Sequence, residues 1–132
     1  HREPQIEKVQ QGDLITVMRD EMKPNYLTDG PHRAAILELC MEMATTLGPD
    51  IFVNQSRALQ TRPDQVETLK NCKIPALVLC GRDDTLCPIA RHQLMYDLIP
   101  QSRFHIVENA GHLPTLEQPD ETTAALARWL EA

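Results

Sequence analysis

The hydropathy pattern changes period at Ile74. From Pro75 to Cys80 the residues Pro-Ala-Leu-Val-Leu-Cys form an unbroken apolar run of strand length that stops at Gly81. Such a run is expected of a short parallel strand buried on both faces. After a loop, Ile89, Gln93, Leu94, Leu98 and Ile99 fall along one side of a helix. Phe104-His-Ile-Val107 is a second strand, and Thr123, Leu126, Ala127 and Leu130 mark a closing helix over Asp120–Leu130. Few folds accommodate strand, helix, strand, helix with short connections. The two strands must run parallel, joined by a right-handed crossover, which makes this part of the chain α/β. Two strands are marginal as a sheet on their own, so further strands are expected from a missing segment or a partner chain.

Before Ile74 the chain reads as helical. Leu14, Val17, Met18 and Met22 recur at helical spacing behind Asp13, a candidate cap, and the Lys23–Pro24 step is expected to stop that helix. Gly30–Pro31 announces a second helix with Leu37, Cys40, Met41, Ala44 and Leu47 on one stripe, ended by Gly48–Pro49. A third starts at Pro49 and uses Phe52, Gln55, Ser56 and Leu59, and a short fourth lies near Asp64–Lys70. The expected division is a helical segment over residues 1–72 and an α/β segment over residues 73–132.

The bulk numbers exclude several classes. A length of 132 residues suits one domain with a real core, and no apolar run is long enough to span a bilayer. A net charge of −6 without a Lys/Arg cluster repels a phosphate backbone, so no nucleic-acid partner is expected. Cys40, Cys72, Cys80 and Cys87 form no C-x-x-C pair and no signal-type leader precedes them, which points to a cytoplasmic setting. The first residue is His1, not Met, and either removal of something upstream or a remaining tag scar is expected.

Chemistry in open α/β sheets collects beyond the carboxyl ends of the strands. Gly81-Arg-Asp-Asp-Thr-Leu-Cys-Pro88 follows the first strand and Glu108-Asn-Ala-Gly-His-Leu-Pro114 the second. A carboxylate and an imidazole placed just past neighbouring strands can hydrogen-bond, which fixes the imidazole tautomer and stabilises its protonated form. An isolated Asp84 is most simply a turn or cap carboxylate, and an isolated His112 a core or surface histidine. Together in matched loops they point to an acid–base pair. Gly111 is assigned to backbone conformation.

The spacing G-x-x-D-x-x-x-P, then Gly111-His112 with 28 positions from Asp84 to His112, then a helix ending Trp129-Leu130, resembles the C-terminal signature of α/β-hydrolases. Ile74–Pro75 before the strand and Leu116-Glu117-Gln118-Pro119 after the histidine strengthen the resemblance. Residues 47–64 resemble, more loosely, the helical cap that many members insert. The resemblance implies the C-terminal part of an α/β-hydrolase fold, with residues 1–72 as cap or lid and 73–132 as core. Asp84 takes the position of the triad acid and His112 that of the base; Asp83 stands one position early.

The departure concerns the nucleophile, which in this family sits in a G-x-S-x-G elbow or a small-residue variant. Gly12, Gly30, Gly48, Gly81 and Gly111 include no pair four apart, and neither Ser56 nor Ser102 has small residues two positions away on both sides; nor does any cysteine. Family order places the nucleophile before the acid, so it is expected upstream of His1. The parent protein is expected to be a serine hydrolase of carboxylic esters or related small acyl substrates, with no organic cofactor and no metal, and this chain alone to be inactive. The resemblance does not separate esterase from thioesterase, C–C bond hydrolase, epoxide hydrolase, dehalogenase or cofactor-free peroxidase.

Two other classes are expected to compete with that reading. One is a non-catalytic fragment that forms a homo-oligomer through its incomplete sheet, and the other a small-molecule receptor that uses a cap pocket without turnover. His32, His92 and His105 lack comparable context and are read as surface or helix-face residues. Cys72, Cys80, Cys87 and His92 match no common zinc spacing. Met18, Met22, Met41 and Met43 are read first as helix packing and second as the lining of an acyl pocket.

Overall fold

The computed structural model describes residues 2–132; His1, the first residue of the expected helical segment, lies outside them. The chain forms two compact units: residues 2–25 with 34–63, and residues 26–33 with 64–132. A single cut at residue 72 does not describe this grouping, because the stretch 26–33 folds with the strands.

In the first unit, α1 (Glu3–Gln10) buries Ile6 and Val9 completely and packs against α4 (Pro49–Thr61), with an Arg57–Glu3 ion pair at 2.6 Å. No element was singled out here from sequence, although Ile6 and Val9 are one helical turn apart. Asp13 precedes α2 (Leu14–Thr16) without a side-chain capping bond. The helix does not stop at Lys23–Pro24 as expected. It widens into a π turn over Val17–Met22 and tightens into a 3-10 turn over Lys23–Asn25. Changing the hydrogen-bond pattern there absorbs the missing N–H of Pro24. α3 (Arg33–Leu47) begins two residues after Pro31, which stays in the preceding turn, and it buries Ile36 and Cys40 while Leu47 remains exposed. α4 starts at Pro49 as expected, behind Gly48 at φ 86°, and its most buried residue is Ser56. An L side chain at Gly48 would be strained at that angle.

In the second unit, α5 (Val66–Lys70) leads to β1 (Ala76–Gly81), α6 (Ile89–Leu98), β2 (Ser102–Val107), α7 (Pro114–Glu117) and α8 (Pro119–Leu130). β1 and β2 pair in parallel, from Ala76 opposite Ser102 to Gly81 opposite Val107. Helices α6 and α8 pack on the pair. Val78, Cys80 and Val107 are buried, whereas Leu77 and Leu79 are only half-buried, so β1 is not enclosed on both faces as its composition suggests. Within these residues the sheet has two strands, too few to shield both faces. The closing helix is preceded by a separate turn, α7, because Pro119 cannot donate the N–H that a continuous helix needs. No helix among the described residues is long and apolar enough to cross a membrane.

Candidate active site

The two strands end side by side, and this sets the distance between the loops that follow. Arg82 N–H donates to Val107 O at 2.9 Å and Asp83 N–H to Ala110 O at 2.9 Å, extending the ladder beyond the sheet. This approach leaves no room at Gly81. A Cβ there would lie 2.1 Å from Gly111 O and 2.4 Å from Ala110 O. Gly111 is equally confined, its Cβ position being 2.9 Å from Tyr26 O. Neither glycine has a positive φ, so Gly111 is required for space and not, as expected, for backbone conformation. The left-handed residue of this loop is Asn109, at φ 54°, a conformation asparagine tolerates well.

The loops bring Asp84 and His112 together. His112 Nδ1 lies 3.0 Å from Asp84 Oδ2, and the carboxylate side chain is 5% exposed against 35% for the imidazole. Asp84 Oδ1 accepts from the backbone N–H groups of Leu86 at 3.0 Å and Cys87 at 2.9 Å. The turn role of an isolated aspartate and the role of imidazole partner therefore coexist, one on each oxygen. With Nδ1 as donor to a fixed carboxylate, the neutral ring carries its lone pair on Nε2. Nε2 has no hydrogen-bond partner among the described residues. A part-exposed imidazole held this way can accept a proton from a reacting group and return it.

Other residues fall outside the pair. Asp83 accepts from Thr28 Oγ1 at 2.8 Å and does not meet His112. His92 Nδ1 lies 3.3 Å from Pro88 O, and His105 Nε2 lies 3.1 Å from Glu121. Ser102 donates to Ile99 O at 2.9 Å and opens β2, at the strand end opposite to His112. The six residues of β2 separate those ends by about 16 Å. Ser56 is buried on α4. Burial, and then the charge of Asp84, push the Cys80 thiol up from its ordinary range, which keeps it protonated and a poor nucleophile. Among the described residues no three His, Cys, Asp or Glu side chains gather as a metal site.

Three residues at the site had no role assigned from sequence. Glu117 is a buried carboxylate that accepts from Thr28 N–H at 2.8 Å, Gly111 N–H at 2.8 Å and Leu113 N–H at 3.1 Å. Tyr26 O accepts from His112 N–H at 2.7 Å, and the two rings lie 6.3 Å apart. A capping box would leave a signal in sequence, but Glu117 stands four residues after Leu113, where that motif needs three and a Ser or Thr at its start. Tyr26 and Thr28 gave none either, since Thr28 and Glu117 are 89 positions apart.

Comparison with known proteins bears on family and fold. Residues 9–126 match the profile of the alpha/beta hydrolase family. The chain is 35% identical over 116 residues to a proline iminopeptidase of Lacticaseibacillus rhamnosus, an alignment that covers 86% of this chain and 36% of the relative. A thermophilic esterase from Thermogutta terrifontis superposes with a TM-score of 0.79 at 28% identity, over 97% of this chain and 50% of that one. The enol-lactonase of Burkholderia xenovorans shares the fold with a TM-score of 0.87 at 18% identity, over 98% of this chain and 49% of that one. The chain thus spans half or less of the length of these proteins. It carries the alpha/beta hydrolase fold in part, as helices around a parallel pair of strands, and it belongs to the alpha/beta hydrolase family.

Proposed function

We propose that this chain supplies the acid and the base of a serine-hydrolase triad whose nucleophile lies on a segment upstream of His1. The observation that carries the reading is the Asp84–His112 pair, with one carboxylate oxygen on Nδ1 and the other locked by two backbone N–H groups. In the reaction, the upstream serine attacks a carbonyl carbon as its proton passes to His112 Nε2, and Asp84 stabilises the imidazolium. The imidazolium then protonates the leaving group, giving an acyl-enzyme that water cleaves by the same route. Backbone N–H groups near the nucleophile hold the developing oxyanion. Carboxylic esters and related small acyl compounds are the proposed substrates. Asp84 and His112 do all their chemistry without a cofactor.

A second reading is iminopeptidase activity at proline, favoured by the 35% identity to the Lacticaseibacillus rhamnosus protein. It uses the same acyl chemistry with an amine as leaving group. Without a nucleophile the 132-residue chain is proposed to be catalytically silent and to associate with itself through the free edge of β1. A cytoplasmic location goes with this reading.

The test is a fluorophosphonate probe, which labels activated serines, combined with p-nitrophenyl ester and prolyl p-nitroanilide assays on the 132-residue chain. No label on Ser56 or Ser102 and no turnover above the His112→Ala variant are expected. Turnover that disappears in His112→Ala would contradict the proposed division of the triad.

A further inference from the structure

The carboxylate of Glu117 is buried and spent entirely on backbone. Its Oε1 accepts from Thr28 N–H at 2.8 Å, and its Oε2 accepts from Gly111 N–H at 2.8 Å and Leu113 N–H at 3.1 Å. These donors come from two stretches of chain. Gly111 and Leu113 flank His112 on either side; Thr28 belongs to the strap 26–33. Hydrogen bonds to an ionised acceptor are the strong ones, and here one charge ties the residues before and after the imidazole to a strap remote in sequence.

The strap touches the site at four further points. Tyr26 O accepts from His112 N–H at 2.7 Å, the Tyr26 ring lies 6.3 Å from the imidazole, Thr28 Oγ1 donates to Asp83 at 2.8 Å, and Tyr26 O closes over Gly111 so tightly that a Cβ there would clash. Arg33 Nη1 holds the strap's own carbonyl of Leu27 at 2.6 Å. The backbone of His112 is therefore fixed from both sides: its neighbours by Glu117, and its own N–H by the strap that Glu117 anchors. The loop's other ties fall on its outer residues, Asp83 N–H on Ala110 O at 2.9 Å, Gln118 Nε2 on Asn109 O at 3.2 Å and Thr122 Oγ1 on Pro114 O at 3.0 Å.

We infer that Glu117 is a positioning residue, a three-way carboxylate clamp that sets the register of the His112 loop against the strap 26–33 and so holds Nδ1 at hydrogen-bonding distance from Asp84. The inference rests on the reading of His112 as base, because a clamp on an idle imidazole would have no bearing on turnover. It differs from a merely structural role in what it controls. A structural role would be felt as lost stability; the clamp is felt as a displaced imidazole in a protein that is still folded.

The replacements grade the effect. Glu117→Ala frees all three donors. In Glu117→Gln the amide oxygen can still accept from Gly111 and Leu113, but the NH2 group then faces the Thr28 N–H, donor against donor. The Gln variant thus releases the strap while leaving the loop partly held.

The experiment is NMR on histidine-labelled protein, read at the His112 Nδ1–H, whose proton is deshielded by its hydrogen bond to a carboxylate. Asp84→Asn identifies the signal by shifting it upfield. The expected result is a sharp, slowly exchanging signal in the wild type, broadening in Glu117→Gln with loss of Thr28 amide protection, and disappearance in Glu117→Ala while the β1 and β2 amides stay protected. A folded Glu117→Ala protein with the wild-type signal would overturn the inference. Should that variant fail to fold, an unchanged signal in Glu117→Gln with Thr28 exposed overturns it equally. The readout is independent of turnover, so a catalytically idle His112, revealed by His112→Ala assays on the polypeptide that also carries the nucleophile segment, would be recognised separately from a failed clamp.

Discussion

Asp84, His112, Gly81 and Gly111 divide the work at the residue scale. Asp84 uses both oxygens, one to hold its own turn and one to meet the imidazole. The glycines let the two loops approach at all. Because a Cβ at Gly81 would lie 2.1 Å from a backbone oxygen, and backbone cannot swing aside as a side chain can, Gly81→Ala is expected to destabilise the protein by roughly 3 kcal/mol or more. Urea unfolding of the variant checks this; a midpoint equal to that of the wild type would show that the loops are less closely joined. This part of the site was legible in the sequence, where G-x-x-D stands directly after one apolar run and Gly-His shortly after the other. The reason for the second glycine was not, because space between two loops is a property of the folded backbone and leaves no periodic mark.

Among the elements, the parallel strands and α6 and α8 follow from period and punctuation, and each was placed to within a few residues. Errors arose where tertiary context overrode a local signal. Pro24 does not end its helix, since a π turn and a 3-10 turn carry the chain past it, and Pro31 does not open one. The composition of β1 implies two covered faces, but Leu77 and Leu79 are half-buried and Ile74 is 70% exposed. Unpaired strand edges and uncovered apolar residues favour pairing with another chain. Multi-angle light scattering of the 132-residue chain is therefore expected to report a dimer or larger species. A stable monomer across a concentration series would argue against self-association through β1.

For the whole molecule, the strap 26–33 shows what sequence could not supply. It lies in the helical half of the chain yet folds with the strands, and its contacts with the His112 loop join residues more than eighty positions apart. Membership of the alpha/beta hydrolase family was visible in the last 59 residues of the sequence through the acid–histidine spacing; the Glu117 clamp needed the fold. The proposed role of Asp84 and His112 is to serve a nucleophile carried elsewhere. Its most direct test is steady-state ester hydrolysis by the polypeptide in which these residues follow the remainder of the hydrolase fold, compared with its His112→Ala and Asp84→Asn variants. Asp84→Asn is predicted to lose kcat by about 10^4-fold, as expected when the tautomer is set wrongly, and His112→Ala by about 10^6-fold, as expected when the base is removed, with KM little changed in either. Wild-type kcat in His112→Ala would contradict that role.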